Sequence, residues 1–374
     1  MSTSSAGSEA RSADILSLRK DPLAISIVVP AYRRPERLGI LLRTLLQQDF
    51  PSNGYEIIVV DDGSPEPVCS IAFQYSQTSE IAIRCFRKAN GGPASARAFG
   101  AREARGEYLL FVDDDMLVSR DFVREHLQAQ REIGPAAVTC DFDWLIEAEP
   151  KSFERWYQRT VATWRNARDA ALVSIGEGLF EFSNQGSEGG FLTAANLSVA
   201  KADYIRSGGF DTSYRSPSCE DQDFGVRLRE AGVRRIVTRR ARATHIETDL
   251  TLRRVCVRQE IGWKDAVRFM RRRGLLDRAM EPEIAIVNGP VKLGADPWLL
   301  IAKKTLKTLV ASGRLSRVSF SVVRIVERIA PESAWAQRSY DLLVGAHIRK
   351  GWLAGLRVYG TERASKELPQ TRVT

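Results

Sequence analysis

Residues 107–116 read EYLLFVDDDM. The apolar run through Val112 has the look of a strand buried on both faces of a sheet. It ends abruptly in three neighbouring carboxylates, Asp113, Asp114 and Asp115. Like charges this close repel, and each resists desolvation, so they sit either in solvent or beside a cation.

Working outward, the same grammar recurs. ISIVV (25–29) is continuous and β-branched, and Pro30 closes it. PERLGILLRTLLQQ (35–48) follows, with Leu38, Leu41, Leu42, Leu45 and Leu46 at helical spacing and Pro35 suited to a first turn. EIIVV (56–60) ends in Asp61-Asp62-Gly63-Ser64, read as a strand-to-helix turn with Ser64 capping a helix over 65–76. IAIRCF (81–86) leads to Asn90-Gly91-Gly92-Pro93 and another helix; after the carboxylates come a helix over 119–132 and a strand near 136–140. ANLSVAK (195–201) reads as a return strand, CEDQDFGVRLREAG as a helix and RRIVT (234–238) as a strand, while 151–190 shows no clear period. Alternating strands and helices with short links imply an α/β fold with a mainly parallel sheet covered on both faces. Ligands of such sheets sit outside the carboxyl ends of the strands, where the polar clusters fall.

Beyond about 250 the strand signals fade. Leu299, Ala302, Leu306, Leu309 and Val310 share one helical face, with Lys303, Lys304 and Lys307 mostly elsewhere. The expected organisation is a disordered lead-in (1–22), an α/β domain (23–250) and a basic, mainly helical region (251–374). Charge divides the same way: 251–374 carries 24 Lys+Arg and 11 Asp+Glu, a balance of +13, against 31 and 35 before it. The five cysteines include no C-x-x-C pair, which argues against a disulfide framework or thiolate zinc site and suits a reducing cytoplasm. With only His126, His245 and His347, a multi-histidine metal cage is not expected. No window approaches the roughly 18 apolar residues of a membrane span.

Taken alone, each cluster has a structural reading and a functional one. Asp113–Asp115 are a wet loop or a site for a hard cation such as Mg²⁺ or Mn²⁺ shared with substrate phosphates. Asp62 is part of a turn or a nucleobase acceptor beside Tyr32. Asn90-Gly91-Gly92-Pro93 is not a P-loop, and Arg97 on the next helix is placed to meet an anion. Glu220-Asp221 favour a helix N-terminus or supply a general base. His245 is structural or a metal ligand.

Together, ISIVVPAYRR, EIIVVDDGS, NGGPASARAFGAREARGEYLLFVDDD, FLTAANLSVAKADYIRSGGFD and CEDQDFGVRLREAGVRRIV resemble the family 2 glycosyltransferases of the GT-A fold, in the family's order over about 25–245. The resemblance implies an inverting, metal-dependent transfer from a nucleotide-diphosphate sugar, with UDP preferred by family habit and dTDP or GDP open. Pro30, Tyr32, Arg34, Asp62, Asn90, Gly91 and Arg97 would hold the donor, with Asp113 or Asp114 nearer the ribose. Asp115 would bind the metal, with Asp113 and His245 as further ligands. Asn196, Gly208, Gly209 and Phe210 match the segment lining the sugar and acceptor; Asp221, with Glu220, matches the catalytic base.

The Q-x-x-R-W motif and membrane spans of the processive synthases are absent, which implies transfer of a single sugar to a glycan or lipid-linked acceptor. The basic region is a candidate for an anionic membrane surface, placing the protein at the inner face of the plasma membrane. Nucleic acid is not an expected partner, because no zinc-finger or RNA-binding signature is present. The competing readings are a nucleotidyltransferase, which would want a Gly-rich basic loop directly after the first strand, and a non-catalytic nucleotide-sugar-binding module.

Overall fold

The computed structural model describes residues 23–145, 150–183, 192–247, 250–276 and 286–360, so the expected lead-in lies outside the described residues. Four strands come first: β1 (Ile25–Ala31), β2 (Tyr55–Asp61), β3 (Ala82–Arg87) and β4 (Tyr108–Val112). They lie parallel in the order β3-β2-β1-β4. The direction of winding reverses between β1 and β4, which opens a crevice at their carboxyl ends. Seven buried residues in β2 and six of seven in β1 explain their unbroken apolar runs.

The remaining strands are β5 (Met116–Val118), β6 (Ala136–Leu145), β7 (Leu172–Gly176), β8 (Leu179–Phe182), β9 (Asn196–Ala200) and β10 (Arg234–Ile246). They extend the sheet as β4-β9-β6-β10-β8-β7, with β5 off this path. The return strand β9 runs antiparallel to both neighbours, so the sheet is mixed. β10 is longer than RRIVT. After an irregularity between Thr238 and Arg242 it continues to Ile246, and β5 pairs with this end, placing Met116 opposite His245.

Helices cover both faces. Leu38, Leu41, Leu42 and Leu45 of α1 (Pro35–Leu45) and Phe122, Val123 and Leu127 of α4 (Phe122–Ile133) pack on one. Ala94 and Ala96 of α3 (Pro93–Glu103), Tyr204 of α6 (Lys201–Arg206) and Phe224 and Leu228 of α7 (Glu220–Glu230) pack on the other. Helix α2 is shorter than expected, Cys69–Ser76, and Ser64 does not cap it. Its hydroxyl instead accepts from the Arg33 N–H at 3.0 Å. The stretch without a clear period contains a 19-residue helix, α5 (Ser152–Ala170), and the β7–β8 hairpin.

The cysteine reading is corrected. Cys69 and Cys85 form a disulfide, with Cα atoms 5.6 Å apart. Sixteen residues separate them in sequence, so no local motif marked the pair; packing of α2 on β3 brings them together.

Residues 250–360 are mainly helical where described, as expected: α8 (Leu252–Arg272), α9 (Trp298–Val310), α10 (Gly313–Ile329) and α11 (Ala334–Tyr359). Gly351 and Gly355 let α11 approach α8 closely, since a Cβ at Gly351 would lie 2.1 Å from the Glu260 carbonyl oxygen. Among the described residues, no helix is long and apolar enough to cross a membrane.

Candidate active site

The crevice between β1 and β4 contains a cavity of about 340 Å³, in the range of small-molecule sites. Its wall carries Pro30, Tyr32, Arg34, Asp62, Asn90, Arg97 and Asp113–Asp115, all expected from sequence. The loop Arg215–Pro217 closes one side and was not expected. It crosses the backbone at Gly92, where φ is 86° and a Cβ would lie 2.2 Å from the Arg215 carbonyl oxygen.

The chain supplies cations for all three carboxylates after β4. Arg97 Nη2 donates to Asp113 Oδ1 at 2.6 Å. Arg34 Nη1 donates to Asp114 Oδ1 at 3.0 Å and also to Asp115. Arg37 lies 3.7 Å from Asp115. Burial pushes the Asp114 carboxyl up to about 7, against the pull of Arg34. Asp115 Oδ1 is buried without a hydrogen-bond partner and faces His245 Nε2 at 3.4 Å.

At the ends of β2 and β3 the chain wraps a carboxylate. Asp62 accepts from Lys88 Nζ at 2.7 Å and from the Gly91 and Gly92 N–H groups at 3.0 and 2.8 Å. Asn90 Nδ2 donates to the Asp62 carbonyl at 2.9 Å. Asp61 performs the turn role, accepting from the Ser64 N–H at 2.8 Å. Arg33, the one non-glycine residue with positive φ among those described, turns the chain after β1 at φ 61°. Its guanidinium lies 4.8 Å from the Tyr32 ring centroid, covering one face of that ring.

The base candidates open α7. Glu220 accepts from the Ser218 N–H at 2.7 Å and from Arg97 Nη1 at 3.2 Å. Asp221 Oδ2 accepts from the Ala194 N–H at 2.9 Å, while Oδ1 has no hydrogen-bond partner and lies 3.6 Å from Arg97 Nη1. Burial, then the Glu220 charge, pushes Asp221 up to about 7. Arg97 stays charged: burial opposes it, but Asp113, Asp221 and Glu220 outweigh that and raise its pKa.

A family model described as "Glycosyl transferase family 2" matches residues 26–175, a stretch that contains the first four strands and the three aspartates. Over that stretch the chain is similar to glycosyltransferase family 2. Over 103 residues it is 30% identical to the poly(ribitol-phosphate) beta-N-acetylglucosaminyltransferase TarS of Staphylococcus aureus, covering 28% of this chain and 18% of TarS. Over 228 residues it is 28% identical to validoxylamine A glucosyltransferase of Streptomyces hygroscopicus subsp. limoneus, covering 58% of this chain and 50% of that protein. The chain thus spans about half or less of the length of these curated relatives. The mannosyltransferase PcManGT of Pyrobaculum calidifontis, solved with GDP-Man and Mn²⁺, aligns with TM-score 0.51 and 18% identity over 92% of this chain and 93% of that one, a likeness that carries the GT-A fold alone.

Other residues expected at the site serve as supports. Asn196 is fully buried and accepts from the Cys140 N–H at 2.8 Å, tying β9 to β6. Gly208 and Gly209 turn with φ 80° and 58°, and a Cβ at Gly209 would strike the Tyr204 ring. Phe210 is core, with the Arg97 guanidinium 5.5 Å from its ring centroid. Sequence reasoning missed Lys88 and Arg37, whose partners are reached only across strands, and the Ala194 N–H, which carries no side-chain signal.

Proposed function

We propose that the chain moves one sugar from a nucleotide-diphosphate donor, UDP-linked by preference, to an acceptor hydroxyl with inversion. The observation that carries this reading is the position of Arg97: one buried guanidinium joins the carboxylate at the β4 end to the acidic pair that opens α7. Donor-side and base-side groups are therefore linked through one side chain in the wall of the crevice.

In this reading Tyr32 stacks on the base through its open ring face, and Asp62, held by Lys88 and the glycine loop, accepts from it. Asp113 and Asp114 face the ribose. Arg34 faces the diphosphate. Asp221 Oδ1, without a competing donor, takes the proton of the attacking hydroxyl. A single base opposite the leaving group gives inversion, as direct displacement does in glycoside chemistry.

The residues fit a divalent cation at Asp115 and His245. The orphaned Asp115 Oδ1 and the facing Nε2 supply one hard and one borderline donor. Among the described residues no group of three or more His, Cys, Asp or Glu is clustered for a metal. Mg²⁺-type sites need only one or two carboxylates when substrate phosphates complete the shell. Bound there, Mg²⁺ or Mn²⁺ supplies charge stabilisation to the departing diphosphate.

In this reading the acceptor is a glycan or lipid-linked glycoconjugate; the relatives act on poly(ribitol-phosphate) and on validoxylamine A. The test is a panel of nucleotide-diphosphate sugars with Mg²⁺ or Mn²⁺, read by thermal shift and slow donor hydrolysis. A metal-dependent response to one panel member is expected; silence across the panel overturns the reading.

A further inference from the structure

Helix α10 turns the usual burial pattern outward. Leu315, Val318, Val322, Ile325 and Ile329 recur at steps of three and four and are 49% to 79% exposed, while Val323 is the residue this helix buries. Globular helices ordinarily aim such a stripe at the core. Helix α9 behaves likewise: Trp298, Leu299, Leu306 and Leu309 are exposed, and Lys304 and Lys307 are buried. The Lys304 ammonium donates to Asp296 at 2.7 Å and to the Pro290 carbonyl at 2.9 Å. An exposed apolar ridge of this length marks an interaction surface. Exposed Arg314, Arg317, Arg324 and Arg328 each precede a ridge residue, so a cationic row runs beside it.

The same helix lines a groove of about 1000 Å³ with Phe153, α8 and α11. Phe153, Leu252, Val257, Ile261 and Phe320 give it an apolar lining. Lys151, Arg253, Arg317, Arg324 and Lys350 face three carboxylates, Glu154, Glu260 and Glu327. Two of these are engaged: Glu154 accepts from the Lys151 N–H at 2.7 Å, and Glu260 holds Lys350 at 2.8 Å. His347 lines the groove and is 5% exposed. Its Nδ1 lies 2.9 Å from Glu260 Oε2, and its Nε2 has no hydrogen-bond partner. Nδ1 donates to that carboxylate, so Nε2 is an acceptor; a buried acceptor left unpaired costs free energy that a phosphate O–H donating to it removes.

We propose that this groove takes one phosphorylated lipid from a bilayer on which the α10 ridge rests. The phosphate meets Arg317, Arg324 and His347; the acyl chain lies along Phe153, Val257 and Ile261. Charge selects this occupant. A second copy meeting the ridge symmetrically would bring its own arginine row against this one, whereas anionic headgroups attract it. Free phosphate would leave the apolar lining wet. Helix α8 continues from the groove to Asp265, which accepts from Ser218 Oγ at 2.7 Å, two residues before Glu220. A lipid-linked acceptor seated here would enter beside the base, but lipid binding stands without the sugar-transfer reading.

The experiment uses the full chain in two arms. In flotation with phosphatidylcholine vesicles, with or without phosphatidylglycerol, the protein is expected to float with the anionic vesicles only. The triple variant Val318→Asp, Val322→Asp, Ile325→Asp, with unchanged far-UV circular dichroism, is expected to stay behind. In thermal shift, dihexanoyl phosphatidic acid below its micellar concentration is expected to raise Tm by several degrees. Inorganic phosphate is not, and Val257→Trp, which fills the exposed groove mouth, is expected to cancel the rise while leaving flotation intact. Absent flotation, an equal rise with inorganic phosphate, or a dimer that the triple variant converts to monomer without loss of flotation each overturns the proposal.

Discussion

Arg97 Nη1 lies 3.6 Å from Asp221 Oδ1, and the same guanidinium holds Asp113 at 2.6 Å and Glu220 at 3.2 Å. Three carboxylates around one buried cation are balanced only while the cation is there. Removing one member of a buried ionic cluster costs roughly 3–5 kcal/mol, because it leaves uncompensated charge. Arg97→Ala is expected to lower stability to urea by about that amount, and adding Asp113→Asn and Glu220→Gln is expected to recover part of it. An unchanged urea midpoint for Arg97→Ala contradicts the assignment.

Asp221→Asn keeps the shape and the Ala194 contact but removes the base. General-base catalysis is worth roughly 10²–10⁴-fold, so kcat is expected to fall by that factor while donor affinity stays nearly constant. Calorimetry on the variant with nucleotide separates the two, and lost donor binding would mean that Asp221 holds the donor instead.

The pH profile follows from the same residue. Asp221, pushed up to about 7 by burial and Glu220, works only when ionised. Its ionised fraction grows as pH rises through that value, so kcat/KM of the free enzyme is expected to fall about tenfold per unit on the acid side. A flat profile between pH 5 and 8 would remove Asp221 as the base.

Chelation of divalent cations is expected to abolish turnover. Asp115→Asn and His245→Ala are each expected to raise the metal concentration for half-maximal activity by at least about tenfold, since losing even an outer-shell partner costs about 10–100-fold. Metal titration of activity checks this; no change in either variant places the metal elsewhere.

Cys69–Cys85 closes a loop of about fifteen residues, for which loop entropy suggests about 3 kcal/mol of stabilisation. Dithiothreitol or the double variant Cys69→Ser, Cys85→Ser is expected to lower the urea midpoint accordingly. Activity is expected to persist, because neither sulfur lines the crevice.

The sequence by itself determined the parallel strands β1 to β4, because ISIVV, EIIVV and YLLFV are unbroken apolar runs that only burial on both faces explains. It also put the polar residues at the carboxyl ends, since each strand passes directly into them. It determined the helical, basic character of the region past 250. It did not show α5, which buries Ser152, Phe153, Glu154 and Trp156 near its start and Arg168 near its end, so no apolar period runs along it. Only the tertiary structure decided which cation each aspartate faces, because Arg34, Arg97 and Asp113–Asp115 meet through strand pairing and not through spacing. The same holds for Asn196 and Phe210, which support the crevice instead of lining it, and for the Cys69–Cys85 bond. It holds most for α9 and α10. Their periodicity announces an apolar face, but which way a helix turns depends on what it packs against, and here the neighbours took Lys304 and Lys307 and left the leucines and valines outside.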